Sequence, residues 1–273
     1  MKDIEAAYPK IVSREVWLQE RLALLEQEKA LTRQRDALNA ARRRLPMVEL
    51  DKPYAFEGPT GRRLLPELFE GRRQLIVYHF MFDPGPPPTG RSGAPWDEGC
   101  EGCSLMADNV PHLAHFHARD TTFVMVSRAP LAQITPFKTR MGWTMPWYSS
   151  NRSDFNRDFH ATLDPVRGSD QWNYRDAAEL AATGKIPDVK GELPGVSVFL
   201  RQGDRVFHSY STYARGLDML VNTSNFLDLT PFGRGEGWDG MPDLDDQGMA
   251  WLRHHDRYDD PAAAACHDRK ARR

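Results

Sequence analysis

Three neighbouring segments constrain this chain most: the apolar run Leu75-Ile76-Val77-Tyr78-His79-Phe80-Met81-Phe82, a Gly- and Pro-rich stretch from Pro84 to Pro95, and Cys100-Glu101-Gly102-Cys103. An almost continuously apolar run of this length fits a central parallel strand covered on both faces, and it is too short to cross a bilayer. The Gly/Pro stretch stops any regular element and reads as a loop. Beyond the cysteines, Leu105, Met106, Val110, Leu113 and Ala114 predict an amphipathic helix over residues 104–118, with Pro111 a local cost or kink.

Cys100 then stands at a helix N-terminus. Unpaired backbone N–H groups and the positive end of the helix dipole favour a thiolate there, the nucleophile of disulfide exchange. Asp97, Glu98 and Glu101 oppose it by like-charge repulsion, so the expected gain is moderate. The competing readings are half of a zinc site and a pair of inert thiols. A structural zinc needs four ligands and there is no second CxxC; His112, His115 and His117 are nearby, but His115 and His117 point to different helix faces. The expectation is a redox pair without a metal or cofactor.

Composition sets the outer bounds. A chain of 273 residues buries one sizeable core and carries an appendage. A formal charge of −2 and 40% apolar residues describe an ordinary soluble protein and argue against nucleic-acid binding. Three cysteines exclude a disulfide-dense secreted scaffold, and Met1-Lys2-Asp3-Ile4-Glu5 lacks a signal-peptide core, so a cytoplasmic protein that does not touch the membrane is expected. Cys266 falls in an Ala-rich, charged tail, 261–273, that reads as disordered and leaves it an incidental thiol.

Residues 13–45 predict one long helix within an N-terminal extension, 1–50, capped by Ser13 and stopped before Pro46. Trp17, Leu24, Leu31, Leu38 and Leu45 recur every seventh residue, whereas the complementary seam is polar: Arg21, Glu28, Arg35 and Arg42. Half a coiled-coil seam predicts docking on the domain or, as a homodimer through this helix, on a second subunit. Arg42-Arg43-Arg44 suits the negative end of the helix dipole.

The main domain is expected over 51–228. A helical turn at 65–69 precedes the apolar strand, Thr121–Ser127 is a second buried strand, and Pro130 opens a helix to about Met141. Residues 145–149 read as a short strand. Polar, turn-rich sequence over 151–190, with one helix near 174–182, reads as an insertion. Val196–Leu200, Gly203-Asp204 and Val206–Tyr210 form a hairpin, followed by a helix over 214–225. Residues 229–260 form a C-terminal extension, with 249–255 ordered and packing through Trp251.

Strand, CxxC, helix, strand, helix, Pro-containing turn, hairpin and helix is an order that resembles a thioredoxin-like domain, which implies an α/β fold with a central mixed sheet flanked by helices. Leu193-Pro194-Gly195-Val196 is similar to the segment that carries the cis-proline of that superfamily, so Pro194 takes that position. Tyr78-His79-Phe80-Met81-Phe82, Met141-Gly142-Trp143, Ser153-Asp154-Phe155-Asn156, the stretch from Tyr210 to Asp218 and Arg253-His254-His255-Asp256 resemble a bacterial thioredoxin-like family of unknown function that carries a DUF designation. That resemblance covers nearly the whole chain and implies fold far better than substrate. The chain departs from thioredoxin in having Glu-Gly between the cysteines and Trp96 four residues ahead of the first, so thioredoxin's potential does not carry over. Leu68–Arg73 looks like a peroxiredoxin start, yet the peroxidatic Pro-x-x-x-Thr/Ser-x-x-Cys pattern is missing.

Around the dithiol, His79 is the candidate proton acceptor for the inner thiol or a hydrogen-bonded core histidine. Trp96 shields the disulfide or caps the core. Arg128 and Arg215 bind an anionic substrate group or form surface ion pairs. Trp143, Trp147 and Tyr148 line a groove or pack in the core. His254-His255 reads as a surface pair. The reading is a thiol–disulfide oxidoreductase in which Cys100 attacks a protein or small-molecule disulfide and Cys103 resolves. A non-catalytic binding module and a peroxiredoxin-like peroxide reductase are the alternatives.

Overall fold

The computed structural model describes residues 9–84, 98–164, 171–182, 191–234 and 248–259. The roles expected of Trp96 and Cys266, and the tail at 261–273, fall outside these residues. The chain divides into two compact units, residues 1–47 with 226–248 and residues 48–225 with 249–273. In the first, α1 spans Arg14–Arg42, and the Ser13 side chain accepts the Val16 N–H at 3.3 Å as its cap. No residue of α1 is buried; Trp17, Leu24, Leu31 and Leu38 are exposed, and Arg21 meets Glu28 at 2.8 Å in the polar seam.

The second unit begins with β1 (Val48–Glu49) and a hairpin, β2 (Ala55–Gly58) and β3 (Gly61–Leu64). A 3-10 turn, Leu65–Phe69, leads into β4 (Gln74–His79). Next come α2 (Glu101–Asp108), α3 (Leu113–His117), β5 (Thr121–Ser127), α4 (Leu131–Arg140) and β6 (Trp147–Ser149). The insertion supplies α5 (Phe155–Asp158), β7 (Thr162–Leu163) and α6 (Ala177–Ala182), and β8 (Gly191–Glu192) pairs with β7 as a separate small sheet. The hairpin β9 (Gly195–Gln202) and β10 (Arg205–Tyr213) turns at Gly203, whose φ of +61° suits glycine. A 3-10 turn at Ala214–Leu220, then α7 (Asn222–Leu227) and a last turn at Gly248–Trp251, complete the order.

The main sheet runs β1-β10-β9-β4-β5-β6-β2-β3. Strands β4, β5 and β6 are parallel, and β9 is antiparallel to β4 and to β10. A parallel βαβ unit with an antiparallel hairpin beside its first strand, in the order β5-β4-β9-β10, is the thioredoxin-like arrangement. The fold is therefore α/β and thioredoxin-like, with the long N-terminal helix present.

Side-chain alternation divides the core into two faces. Tyr78, Phe80, Phe123 and Met125 pack with Cys103, Met106, Phe137 and Trp147 on one. Leu75, Val77, Val124 and Val126 pack with Phe56, Leu68, Phe69, Phe155 and Phe199 on the other. The cysteines thus share a face with even-numbered residues of β4.

Four expectations are corrected. The helix over 104–118 is two helices, because Pro111 offers no N–H to continue the ladder; α3 restarts after His112, whose Nδ1 accepts the Ala114 N–H at 3.2 Å. The helix expected over 214–225 begins as a 3-10 turn, since Ala214 leaves β10 in the left-handed region at φ +50°. Pro194 follows a trans bond, and no peptide among the described residues is cis; Leu193, pinned by its N–H to Ala161 O at 2.8 Å, carries an extended chain from β8 straight into β9. Trp251 is exposed, and the C-terminal segment packs instead through Leu252 and His254, each 3% exposed. Among the described residues, no helix is long and apolar enough to cross a membrane.

Candidate active site

Strand β4 and the chain just after it build the floor under the cysteines. The Cys100 N–H donates to Met81 O at 3.1 Å, which ties the start of α2 to the end of β4. Cys100 is the N-cap of α2, with extended backbone, and its carbonyl accepts both the N–H and the hydroxyl of Ser104 at 2.9 Å. Gly99 is required by the packing, because a Cβ there would meet the Phe80 and Phe137 rings.

The two thiols are unequal. Cys100 is half-buried, whereas Cys103 is 2% exposed in the first turn of α2. Burial pushes the Cys103 thiol well above its usual range, and its hydrogen bond to Cys100 pushes it the same way. Two donors to its sulfur oppose that: the Tyr78 hydroxyl, and the Met81 N–H at 3.3 Å. Tyr78 is itself fully buried and stays neutral, since burial raises its phenol well above the ordinary value. The inner thiol, kept protonated by burial, is hydrogen-bonded to the Cys100 sulfur. Both side chains are thiols here.

The acidic surroundings are neutralised on one side. Glu98 is ion-paired with Arg140, receives Arg257 Nη2 at 3.2 Å, and lies 3.6 Å from His254 Nδ1. Its expected repulsion of a Cys100 thiolate is offset by two guanidinium groups. Beside α2 lies an open cleft of about 440 Å³, lined by Leu105 and Asp108 of the helix and by Trp251, Arg253, His255 and Tyr258. A Cβ added to Gly102 would sit 3.8 Å from Cys100 Sγ and 4.0 Å from Met249 Cε, so a larger residue there would touch both.

The structure disperses the other expected site residues. His79 lies on the opposite sheet face, stacked on Phe155 at 5.4 Å, with Nε2 2.8 Å from Ser197 Oγ; it makes no contact with the thiols. Period-2 alternation is the reason, and the side chain facing Cys103 is its neighbour Tyr78. Arg128 pairs at 2.9 Å with Glu192, a 5% exposed carboxylate that also accepts Thr162 Oγ1 at 2.7 Å and Asn156 Nδ2 at 2.8 Å. Arg128 is thereby committed to a buried ion pair rather than a surface one. Arg215 meets Asp218 at 3.2 Å on the surface. Trp143 packs in the core and donates to Asp108 Oδ1 at 2.7 Å. Pro194 is half-buried at the head of β9. Among the described residues, no group of three His, Cys, Asp or Glu side chains could hold a metal ion.

Residues that sequence reasoning missed are Tyr78, Glu192 and His254. For Tyr78 the signal was present: the alternation of Ile76, Tyr78 and Phe80 against Val77 and His79 makes either one or the other residue face the helix. Glu192 gives no such sign.

Among solved structures, the chain is similar to peroxiredoxins. A structure of peroxiredoxin Q from Xanthomonas campestris is 16% identical, covering 66% of this chain and 94% of that one, with a TM-score of 0.37. Peroxidoxin BcpB from Mycobacterium tuberculosis is 14% identical, covering 66% and 94%, with a TM-score of 0.37. The mitochondrial 2-Cys peroxiredoxin from Plasmodium falciparum is 10% identical, covering 67% and 92%, with a TM-score of 0.37. Similarity at this level bears on neither substrate nor mechanism. No curated protein matches the chain. A family model described as a bacterial protein of unknown function, DUF899, matches residues 6–258, and the chain belongs to that family.

Proposed function

We propose that this protein is a thiol–disulfide oxidoreductase whose working group is the Cys100–Cys103 pair. One observation carries the reading: a half-exposed cysteine stands at the N-cap position of α2, and a buried thiol one turn on is hydrogen-bonded to it and held by Tyr78 and Met81. The Cys100 thiolate attacks one sulfur of a substrate disulfide, the S–S bond breaks, and the departing substrate thiolate takes up a proton. Cys103 then loses its proton and attacks Cys100 Sγ, releasing the second substrate thiolate. Two electrons pass to the substrate, and the protein is left with a Cys100–Cys103 disulfide. In the reverse direction the same steps oxidise a dithiol. No cofactor takes part, and the half-exposed Cys100 is the sulfur a protein or small-molecule substrate would meet.

Trapping tests the assignment. In protein with Cys266→Ser, Cys103→Ser should accumulate mixed disulfides through Cys100 with a model disulfide, and Cys100→Ser should not. Equal trapping by both variants, or trapping through Cys103 alone, contradicts the division of roles.

A further inference from the structure

The segment Arg253–Asp256 forms no part of a thioredoxin-like sheet, yet its two adjacent histidines reach opposite ends of the CxxC helix. His254, 3% exposed, places Nε2 2.9 Å from Gly99 O. His255 places Nδ1 2.9 Å from Asp108 Oδ1 at the C-terminal end of α2, where a carboxylate opposes the helix dipole and gains from a donor. Trp143 supplies a second donor to that same oxygen at 2.7 Å.

The contacts of His254 fix its chemistry. Gly99 O only accepts, so Nε2 carries the hydrogen; Arg140 Nη2, 2.9 Å from Nδ1, only donates, so Nδ1 accepts. Nε2 thus meets the Gly99 carbonyl while Nδ1 faces Arg140 at 2.9 Å and the Glu98 carboxylate at 3.6 Å. The ring is held edge-on by Phe137 at 5.3 Å, and Arg140 lies over that same phenyl ring at 5.0 Å. A turn closed by Arg257 N–H to His254 O at 2.9 Å brings Asp256 to within 3.1 Å of Arg140 and Arg257 to within 3.2 Å of Glu98.

The consequence falls on one peptide unit. Between Gly99 and Cys100, the carbonyl is held by His254 and the N–H by Met81 O at 3.1 Å. With both polar groups of that plane anchored, the backbone entering Cys100 is fixed, and with it the direction from which Sγ approaches Cys103. We propose that Arg253–Asp256 is a clamp on α2, with His254 the positioning residue that presets Cys100 for disulfide closure with Cys103. The proposal rests on the thiol–disulfide reading above. Loss of the clamp leaves the thiols in place but frees the outer one, so the dithiol closes less readily and the pair becomes easier to reduce.

Full-length protein with Cys266→Ser tests this through His254→Phe, which keeps an aromatic ring against Phe137 but has no donor, and His254→Gln, whose amide N–H replaces Nε2–H. Two readouts are needed: the dithiol–disulfide midpoint in thiol redox buffers, and amide exchange at Cys100 relative to β5. His254→Phe should lower the equilibrium constant for closure about tenfold, the weight of one buried hydrogen bond. That is an upward move of about 30 mV. It should also speed exchange at Cys100 about tenfold, with β5 unchanged, for the same reason. His254→Gln should stay close to the native protein on both readouts. A midpoint unmoved by His254→Phe overturns the clamp, as does an equal shift in both variants that tracks equal loss of thermal stability. If the native pair forms no reversible disulfide, the oxidoreductase reading fails by itself, and exchange decides the clamp: unchanged protection of the Cys100 amide in His254→Phe overturns it, and loss restored by Gln upholds it.

Discussion

Replacing Glu192 with Gln should steepen the loss of stability as pH falls from about 6.5 to 4.5. Two fully buried groups act on the profile in opposite directions. His79 is fully buried, and its pKa is pushed down to about 3, first by burial and then by the neighbouring His208. Glu192 is pushed up to about 7 by burial, against the Arg128 charge and hydrogen bonds from Thr162 and Asn156. A histidine depressed on folding contributes stability that is present above its unfolded value of about 6.5 and is lost as pH falls toward 3, by up to about 1.4 kcal/mol per unit. A carboxyl raised on folding contributes stability that is present below its unfolded value of about 4.5 and is lost as pH rises toward 7, at the same limiting slope. Between about pH 4.5 and 6.5 the two slopes oppose each other, which flattens the native profile. Glu192→Gln removes one of them, so stability should fall by roughly 3 kcal/mol from pH 6.5 to 4.5, on top of any pH-independent loss. Urea unfolding followed by circular dichroism at half-unit pH steps measures this. Adding His79→Gln should remove most of the new slope. His208 and His160, also depressed by burial, leave a residue of the same sign. Parallel profiles for the native protein and Glu192→Gln would refute the reasoning.

Tyr78→Phe deletes a donor to the Cys103 sulfur, so the pH dependence of mixed-disulfide resolution should move to higher pH, with a stability cost of about 1 kcal/mol; a stopped-flow pH series that overlays the native one contradicts this. Gly99→Ala forces a methyl group between Phe80 and Phe137 and should cost about 1–3 kcal/mol in urea unfolding, and a neutral result would show that the loop yields. The exposed Trp17, Leu24, Leu31 and Leu38 stripe is expected to hold a second copy of the chain. Sedimentation should then give a dimer that Leu24→Glu with Leu31→Glu dissociates, and a native monomer ends that expectation.

Legibility in the sequence followed the range of the interactions. Strand β5, helix α4 and the β9–β10 hairpin declared themselves through local apolar runs, Pro130 and Gly203-Asp204, each acting within a few residues. The β2–β3 hairpin did not, since its pattern, Ala55–Gly58 and Gly61–Leu64, buries only alternate residues on one strand. The helix-cap position of Cys100 was legible only because the apolar run, the cysteines and the amphipathic stretch follow one another in sequence. The partners of the cysteines were not legible in the same way. Tyr78 against His79 is a one-residue choice of sheet face, and it turns on where α2 packs. Glu192 and Arg128 are 64 residues apart and His254 and Gly99 155 apart, so neither pairing leaves a periodic trace. Pro194 misled because X–Pro before a strand fits either isomer.

The most direct test of the central claim is the reduction midpoint of the Cys100–Cys103 pair. It is measured by alkylation and mass spectrometry across thiol redox buffers, with Cys266 replaced by Ser. The account predicts a reversible two-electron transition between about −270 and −120 mV, the span of dithiol oxidoreductases. Two thiols that titrate with alkylating reagent but form no reversible disulfide at any buffer potential would contradict it.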